Sequence, residues 1–163
     1  MALQAGYIAV QTENGEAMGL MTGLGGRLHF NIHDHIRVGG AGAATNLNYD
    51  KPGNAGSYFQ LSYGGLTLEA TFPVNQWRFS LGILAGGGKS VNLDIRSVTN
   101  DTILGAIYEK EATFIASPLL TVEYHLTETI SFMFLADFLM GNNLAKSTSL
   151  KYPKFHLGVL FNK

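Results

Sequence analysis

The sequence predicts an all-β chain: an eight-stranded antiparallel up-and-down transmembrane β-barrel, with residues 1–163 as a single transmembrane domain. Two observations carry this reading. Every second residue through six segments is uncharged, thirty-seven positions in all, while the residues between them hold Arg, Lys, Glu, Asp, His and Gly. Successive strand side chains point to opposite faces, so this alternation separates a greasy environment from a polar one. The connections also alternate short and long, as they do where tight turns line one rim of a barrel and longer loops the other.

The first segment, Leu3 to Gln11, alternates weakly and leads to a turn at Thr12 to Glu16. The second is the clearest: Met18, Leu20, Thr22, Leu24, Gly26, Leu28, Phe30 and Ile32 form one face, and Gly19, Met21, Gly23, Gly25, Arg27, His29 and Asn31 the other. A tight turn at Asn31 to His35 precedes the third segment, Ile36 to Thr45, which is mostly Gly and Ala. Having little apolar bulk for lipid, that side is a candidate protein contact. After a loop at Asn46 to Ser57 the fourth segment shows Phe59, Leu61 and Tyr63, then, one step out of phase, Leu66, Leu68, Ala70 and Phe72. The slip at Gly64-Gly65 predicts a β-bulge.

A turn at Pro73 to Gln76 opens the fifth segment, Trp77, Phe79, Leu81, Ile83, Ala85, followed by a long excursion from Gly88 to Glu111. The sixth carries Phe114, Ala116, Pro118, Leu120, Val122, Tyr124 and Leu126. A turn at Thr127 to Thr129 leads to the seventh, Ile130, Phe132, Phe134, Ala136, Phe138, Met140. A loop at Gly141 to Pro153 then leads to the eighth, Phe155, Leu157, Val159, Phe161.

Orientation follows from volume. The greasy face carries thirteen aromatic rings, and the interior of an eight-stranded barrel is only just wide enough for its own side chains or one small ligand. Those rings therefore face outward, and the glycines between them leave room inside for Arg and His. A soluble barrel carrying a lipophilic ligand would need the reverse arrangement. Rings near the stripe ends suggest two girdles: Phe30, Phe72, Trp77, Tyr124 and Phe161 at the turn rim, and Phe59, Phe114, Phe138 and Phe155 at the loop rim.

Composition narrows the classes further. A chain 46% hydrophobic and 14% charged is too apolar for disorder. A net charge of −1 without a basic run offers nothing to neutralise phosphates, which argues against nucleic acid as a partner. The absence of Cys removes disulfides, thiol catalysis and thiolate metal sites together. No cofactor or metal signature stands out. No segment reaches the ~20 apolar residues of a membrane helix. Met1-Ala2-Leu3 opens the chain without a basic and then apolar leader, so an outer-membrane location implies that a signal peptide has been removed.

The inward positions predict a two-storey lumen. Near the turns lies an ionic network of Arg27, His29, Arg37, Glu69, Arg78, Glu123 and His125, in which arginine and carboxylate pair because an unpaired charge would be costly. Nearer the loops lie Ile8, Val10, Met21, Leu84, Ile115, Leu119, Leu135, Leu139 and Leu160, with Asp137, Lys154 and His156 among them. Such a lumen is a plug, not a pore. Met21, Leu84, Ile115, Leu119, Leu135 and Leu139 could alternatively line a site for a fatty-acyl chain, and Pro118, which lacks an N–H, could weaken a seam.

Other motifs carry less. Gly86-Gly87-Gly88-Lys89-Ser90 suggests a phosphate loop but has Ile83 where the first Gly is needed, and strand residues follow it. Gly23-Leu24-Gly25 lacks the third glycine of a dinucleotide fingerprint, having Leu28 there. His33-Asp34-His35 has metal-ligand chemistry within a turn, and Ser131, Asp137 and His156 have the chemistry of a nucleophilic triad at different predicted heights.

The alternating segments and the closing run Phe155-His156-Leu157-Gly158-Val159-Leu160-Phe161 resemble the small eight-stranded outer-membrane barrels of the OmpA/OmpX type. Similarity to the lipid A-modifying barrels is weaker: the palmitoyltransferase's amphipathic helix is missing, and Ala136-Asp137-Phe138-Leu139-Met140 stands where a deacylase would carry His-x-Ser. Family members typically finish on an aromatic residue, whereas Asn162 and Lys163 follow Phe161 here. The resemblance implies an outer-membrane protein without enzymatic chemistry, surrounded by outer-membrane lipids and meeting a protein partner through its long loops or its Gly/Ala-rich third strand. The rival expectation is a lipid-binding or lipid A-modifying barrel using the apolar half-lumen.

Overall fold

The computed structural model describes residues 2–12, 15–51, 54–99, 102–143 and 149–161, with side chains described for 2–3, 5–6, 19–48, 57–93, 95, 108–142 and 151–161. Eight strands follow one another: β1 Ala2–Thr12, β2 Gly15–His33, β3 Ile36–Lys51, β4 Asn54–Val74, β5 Trp77–Thr99, β6 Thr102–His125, β7 Ile130–Asn143 and β8 Ser149–Phe161. Each pairs antiparallel with its neighbour in sequence, and β1 closes on β8 from Ala2↔Gly158 to Gly6↔Lys154. Closure leaves no sheet edge within the wall, so backbone groups are satisfied without water.

The wall is inverted relative to a soluble barrel. Leu28, Leu66 and Leu157 are 65%, 74% and 65% exposed, whereas Glu69 and Glu123 on the opposite face are 1% and 0% exposed. At one rim the connections are short: Asp34-His35, Asn75-Gln76 and 126–129. Asn75 holds φ at 53°, a left-handed conformation that Asn tolerates better than most residues.

Three expectations need correction. Phe59, Leu61 and Tyr63 face the lumen, at 4%, 0% and 8% exposure. No bulge lies at Gly64-Gly65, because the register runs unbroken through Tyr63↔Ala43, Gly64↔Gly42 and Gly65↔Ala41. The upper lumen is itself apolar, so large apolar residues there belong on the inner face, and the apparent slip marks where the outward row passes from Ser62 and Gln60 to Leu66 and Leu68. Phe59 accordingly leaves the proposed outer ring of aromatics. The register irregularities fall elsewhere, at Asn31/His33, Tyr49/Lys51 and Ile95/Ser97/Val98.

The stretches expected as loops are also largely strand. β3 and β4 stay paired to Lys51↔Asn54, and β5 and β6 to Thr99↔Thr102. β7 and β8 stay paired to Asn142↔Ser149. Polar residues above the hydrocarbon lose the apolar alternation but keep the ladder. β5 and β6 reach 23 and 24 residues against 14 and 13 for β7 and β8, so their tip projects as a two-stranded ribbon.

Candidate functional site: the barrel interior and its wall

On the turn side, two carboxylates organise the lumen. Glu69 on β4 pairs with the Arg27 guanidinium of β2 and lies 3.1 Å from His29 Nε2. Arg27 Nη1 also donates across the barrel to Thr121 Oγ1 on β6 at 3.1 Å. Glu123 on β6 takes Arg37 Nη1 at 2.6 Å and Arg78 Nη1 at 3.4 Å, one on each carboxylate oxygen. Arg37 Nε donates to Asn31 Oδ1 at 3.0 Å. Six of the seven predicted network residues thus meet around two buried acids. The seventh, His125, sits at the rim with Nδ1 2.7 Å from Ser131 Oγ.

On the loop side, Met21, Leu84, Ile115, Leu119, Leu135 and Leu139 belong to one buried apolar cluster. The sequence reading missed its other members, Leu47, Phe59, Leu61, Tyr63 and Tyr152. The spacing Tyr152, Lys154, His156 was the available signal for Tyr152, since every second residue of the closing strand faces inward. The side chains of Ile8 and Val10 lie outside the described residues. Set in this cluster, Asp137 Oδ2 lies 3.3 Å from both Lys154 Nζ and His156 Nε2. Lys154 also meets the Tyr63 hydroxyl, with Nζ 4.2 Å from the ring centroid. A buried ammonium is tolerable here because a carboxylate, a phenol and a π-face share it.

The remaining motifs resolve plainly. Asp137 and His156 come together but Ser131 pairs with His125 instead, so no triad forms. His35 Nδ1 is 3.1 Å from the Thr71 carbonyl, and among the described residues no group of three metal-ligating side chains gathers. Gly86 to Ser90 lies within β5, so no phosphate loop exists there.

Two features belong to the wall. A groove of about 640 Å³ runs along its outer, turn-side surface, bordered by Leu24, Trp77, Tyr124, Phe132, Phe134 and Leu157. Across four strands, Gly26, Gly42, Gly64 and Gly87 stand in one ladder row and face outward. On the β6–β7 seam the pairs run Ala116↔Met140 and then Leu119↔Asp137, skipping Pro118.

Among solved structures, Neisserial surface protein A (NspA) is similar at a TM-score of 0.63 and 13% identity, covering 99% of this chain and 95% of that one. Ail, the attachment invasion locus protein of Yersinia pestis, is similar at 0.53 and 12% identity, covering 98% and 95%. Ail in complex with the heparin analogue sucrose octasulfate gives 0.55 and 15% identity, also covering 98% and 95%. No family model matches the chain, and no curated protein matches it. Apolar wall, ionic lumen and shared fold define the class: an integral membrane protein with the architecture of the small eight-stranded outer-membrane β-barrels. A closed barrel is one of the few backbones that can cross hydrocarbon with every polar group paired.

Proposed function

We propose that this barrel is a non-enzymatic, non-conducting outer-membrane protein that acts through the hairpins on its loop side, in an adhesive or partner-binding role. The observation that carries this reading is the β5–β6 ribbon. β4 accompanies β5 to Tyr58↔Leu93 and β7 accompanies β6 to Thr113↔Asn143. Among the described residues, the backbone of Thr102–Tyr108 therefore has ladder partners on the β5 side alone. This stretch, Thr102-Ile103-Leu104-Gly105-Ala106-Ile107-Tyr108, is uncharged and apolar. Unpaired N–H and C=O groups on such an edge are a template for an added strand from another protein.

The non-conducting part rests on the lumen. Glu69, Glu123, Lys154, Leu61, Ile115 and Leu139 are each at most 1% exposed, so ion pairs and apolar side chains occupy both storeys. The apolar storey packs against its own Tyr152, Phe59 and Leu47, which favours side-chain filling over an acyl-chain site there.

The test joins two measurements. Replacing 96–107 by a two-residue turn is expected to abolish adhesion of barrel-bearing cells to host-type surfaces while leaving heat-modifiable gel mobility intact. The intact protein in planar bilayers is expected to show no unit conductance steps. Undiminished adhesion by the shortened barrel, or regular conductance steps, would overturn the respective half of the reading.

A further inference from the structure

The outward wall has a one-sided charge pattern. Of the described strand residues that face outward, only Lys89, Lys110 and Lys151 are charged, all toward the loop side, and none is acidic. Two of them form a pair. Lys89 on β5 opposes Ala112 and Lys110 on β6 opposes Val91, so the two lysines are diagonal neighbours on the outer face of the β5–β6 ladder. The outward positions around them, Gln60, Ser62, Gly87, Val91 and Ala112, are all neutral. Glu109 and Glu111 sit on the other face of β6, half-buried.

Two adjacent cations repel, and an anion bridging them removes that repulsion. At this height on a membrane-embedded wall, the anions at hand are lipid headgroup phosphates, and basic side chains at a bilayer surface attract them at roughly 1 kcal/mol each. The number of charges selects among them. A phosphomonoester carries about −1.5 to −2 near neutrality, matching two ammoniums, whereas a phosphodiester carries one charge and leaves the pair half-compensated.

We propose that Lys89 and Lys110 form a clamp for the phosphomonoester headgroup of an outer-leaflet lipid. The wall beneath suits the chains of such a lipid. Gly87 lies two residues below Lys89, in one row with Gly64, Gly42 and Gly26, and a Cβ at Gly26 or Gly87 would meet nothing within 4 Å. Acyl chains can therefore lie against bare backbone. The inference rests on the membrane-embedded class and is independent of the partner-binding role of the ribbon.

The test uses the intact barrel in phosphatidylcholine nanodiscs doped with either phosphatidic acid, a phosphomonoester, or phosphatidylglycerol, a phosphodiester, with bound lipid counted by native mass spectrometry. Retention of phosphatidic acid is expected to exceed that of phosphatidylglycerol by roughly fivefold, the factor for about one kcal/mol. K89Q/K110Q is expected to erase the difference and K151Q to keep it, with heat-modifiable mobility showing that both variants are folded. Equal retention of the two lipids by the unaltered barrel, an undiminished preference in K89Q/K110Q, or its loss in K151Q would each overturn the assignment.

Discussion

Arg37 on β3 reaches across the lumen to Glu123 on β6, Nη1 to Oε1 at 2.6 Å, joining two strands that share no ladder. Glu123 is completely buried and also receives Arg78. Glu123→Ala would leave two guanidiniums facing an apolar gap, and removing one partner of a buried pair typically costs about 3–5 kcal/mol. Urea unfolding in lipid vesicles is expected to show a loss of that order. A double-mutant cycle with Arg37→Ala should return a coupling well above that of a surface pair.

Glycine positions divide by face. A Cβ at Gly82 would stand 2.5 Å from both Glu69 Cγ and the Leu68 carbonyl oxygen, displacing the acid that holds Arg27. Gly82→Ala is therefore expected to cost about 1–3 kcal/mol. Gly87→Ala, entering open space, is expected to stay within about 0.5 kcal/mol. The same vesicle unfolding assay separates the two.

The turn at Asn75 makes a backbone prediction. Its φ of 53° costs a branched residue about 1–2 kcal/mol. Asn75→Val should lower the unfolding midpoint accordingly, while Asn75→Gly should hold it.

Phe134 lies on the outer wall, stacked on Phe155 with ring centroids 6.2 Å apart and planes at 19°. A lysine on the lipid face near mid-depth costs about 2–4 kcal/mol. Phe134→Lys is expected to unfold at correspondingly lower urea; an unchanged midpoint would place this face away from hydrocarbon.

Pro118 interrupts the β6–β7 ladder between Ala116↔Met140 and Leu119↔Asp137. Hydrogen exchange at the amides of Ser117, Phe138 and Leu139 should run faster than at Leu120 and Ala136. Pro118→Val, an outward substitution that restores a donor, should slow it.

The sequence made some of this legible and hid the rest for physical reasons. In β2, β5, β6 and β8 one face is apolar and the other carries charged, polar or glycine residues, so the period of two fixes both strand and orientation; in β7, where Met133, Leu135 and Leu139 face inward, the opposing row of Phe132, Phe134 and Phe138 carries it. In the first half of β4 the contrast collapses. Phe59, Leu61 and Tyr63 face an apolar lumen, and a pattern that asks only which side is greasier assigns them to lipid. Strand ends beyond the hydrocarbon carry no alternation, which is why the β5–β6 ribbon read as a loop. The lumen's inventory was readable from parity. Its partners were not: that Arg27 meets Glu69 and Thr121 while Arg37 meets Glu123 depends on strand stagger, which no single strand's pattern contains.

The cross-lumen ties have a mechanical consequence. Arg27 links β2 to β4 and β6, Arg37 links β3 to β6, and Lys154 links β8 to β4 and β7. Struts at two depths and in several directions brace the cross-section, so flattening the barrel would require breaking buried ion pairs. When bilayer thickness changes, the adjustment falls to the surrounding lipid and to the tilt of the whole cylinder, and this molecule behaves in its membrane as a stiff pin.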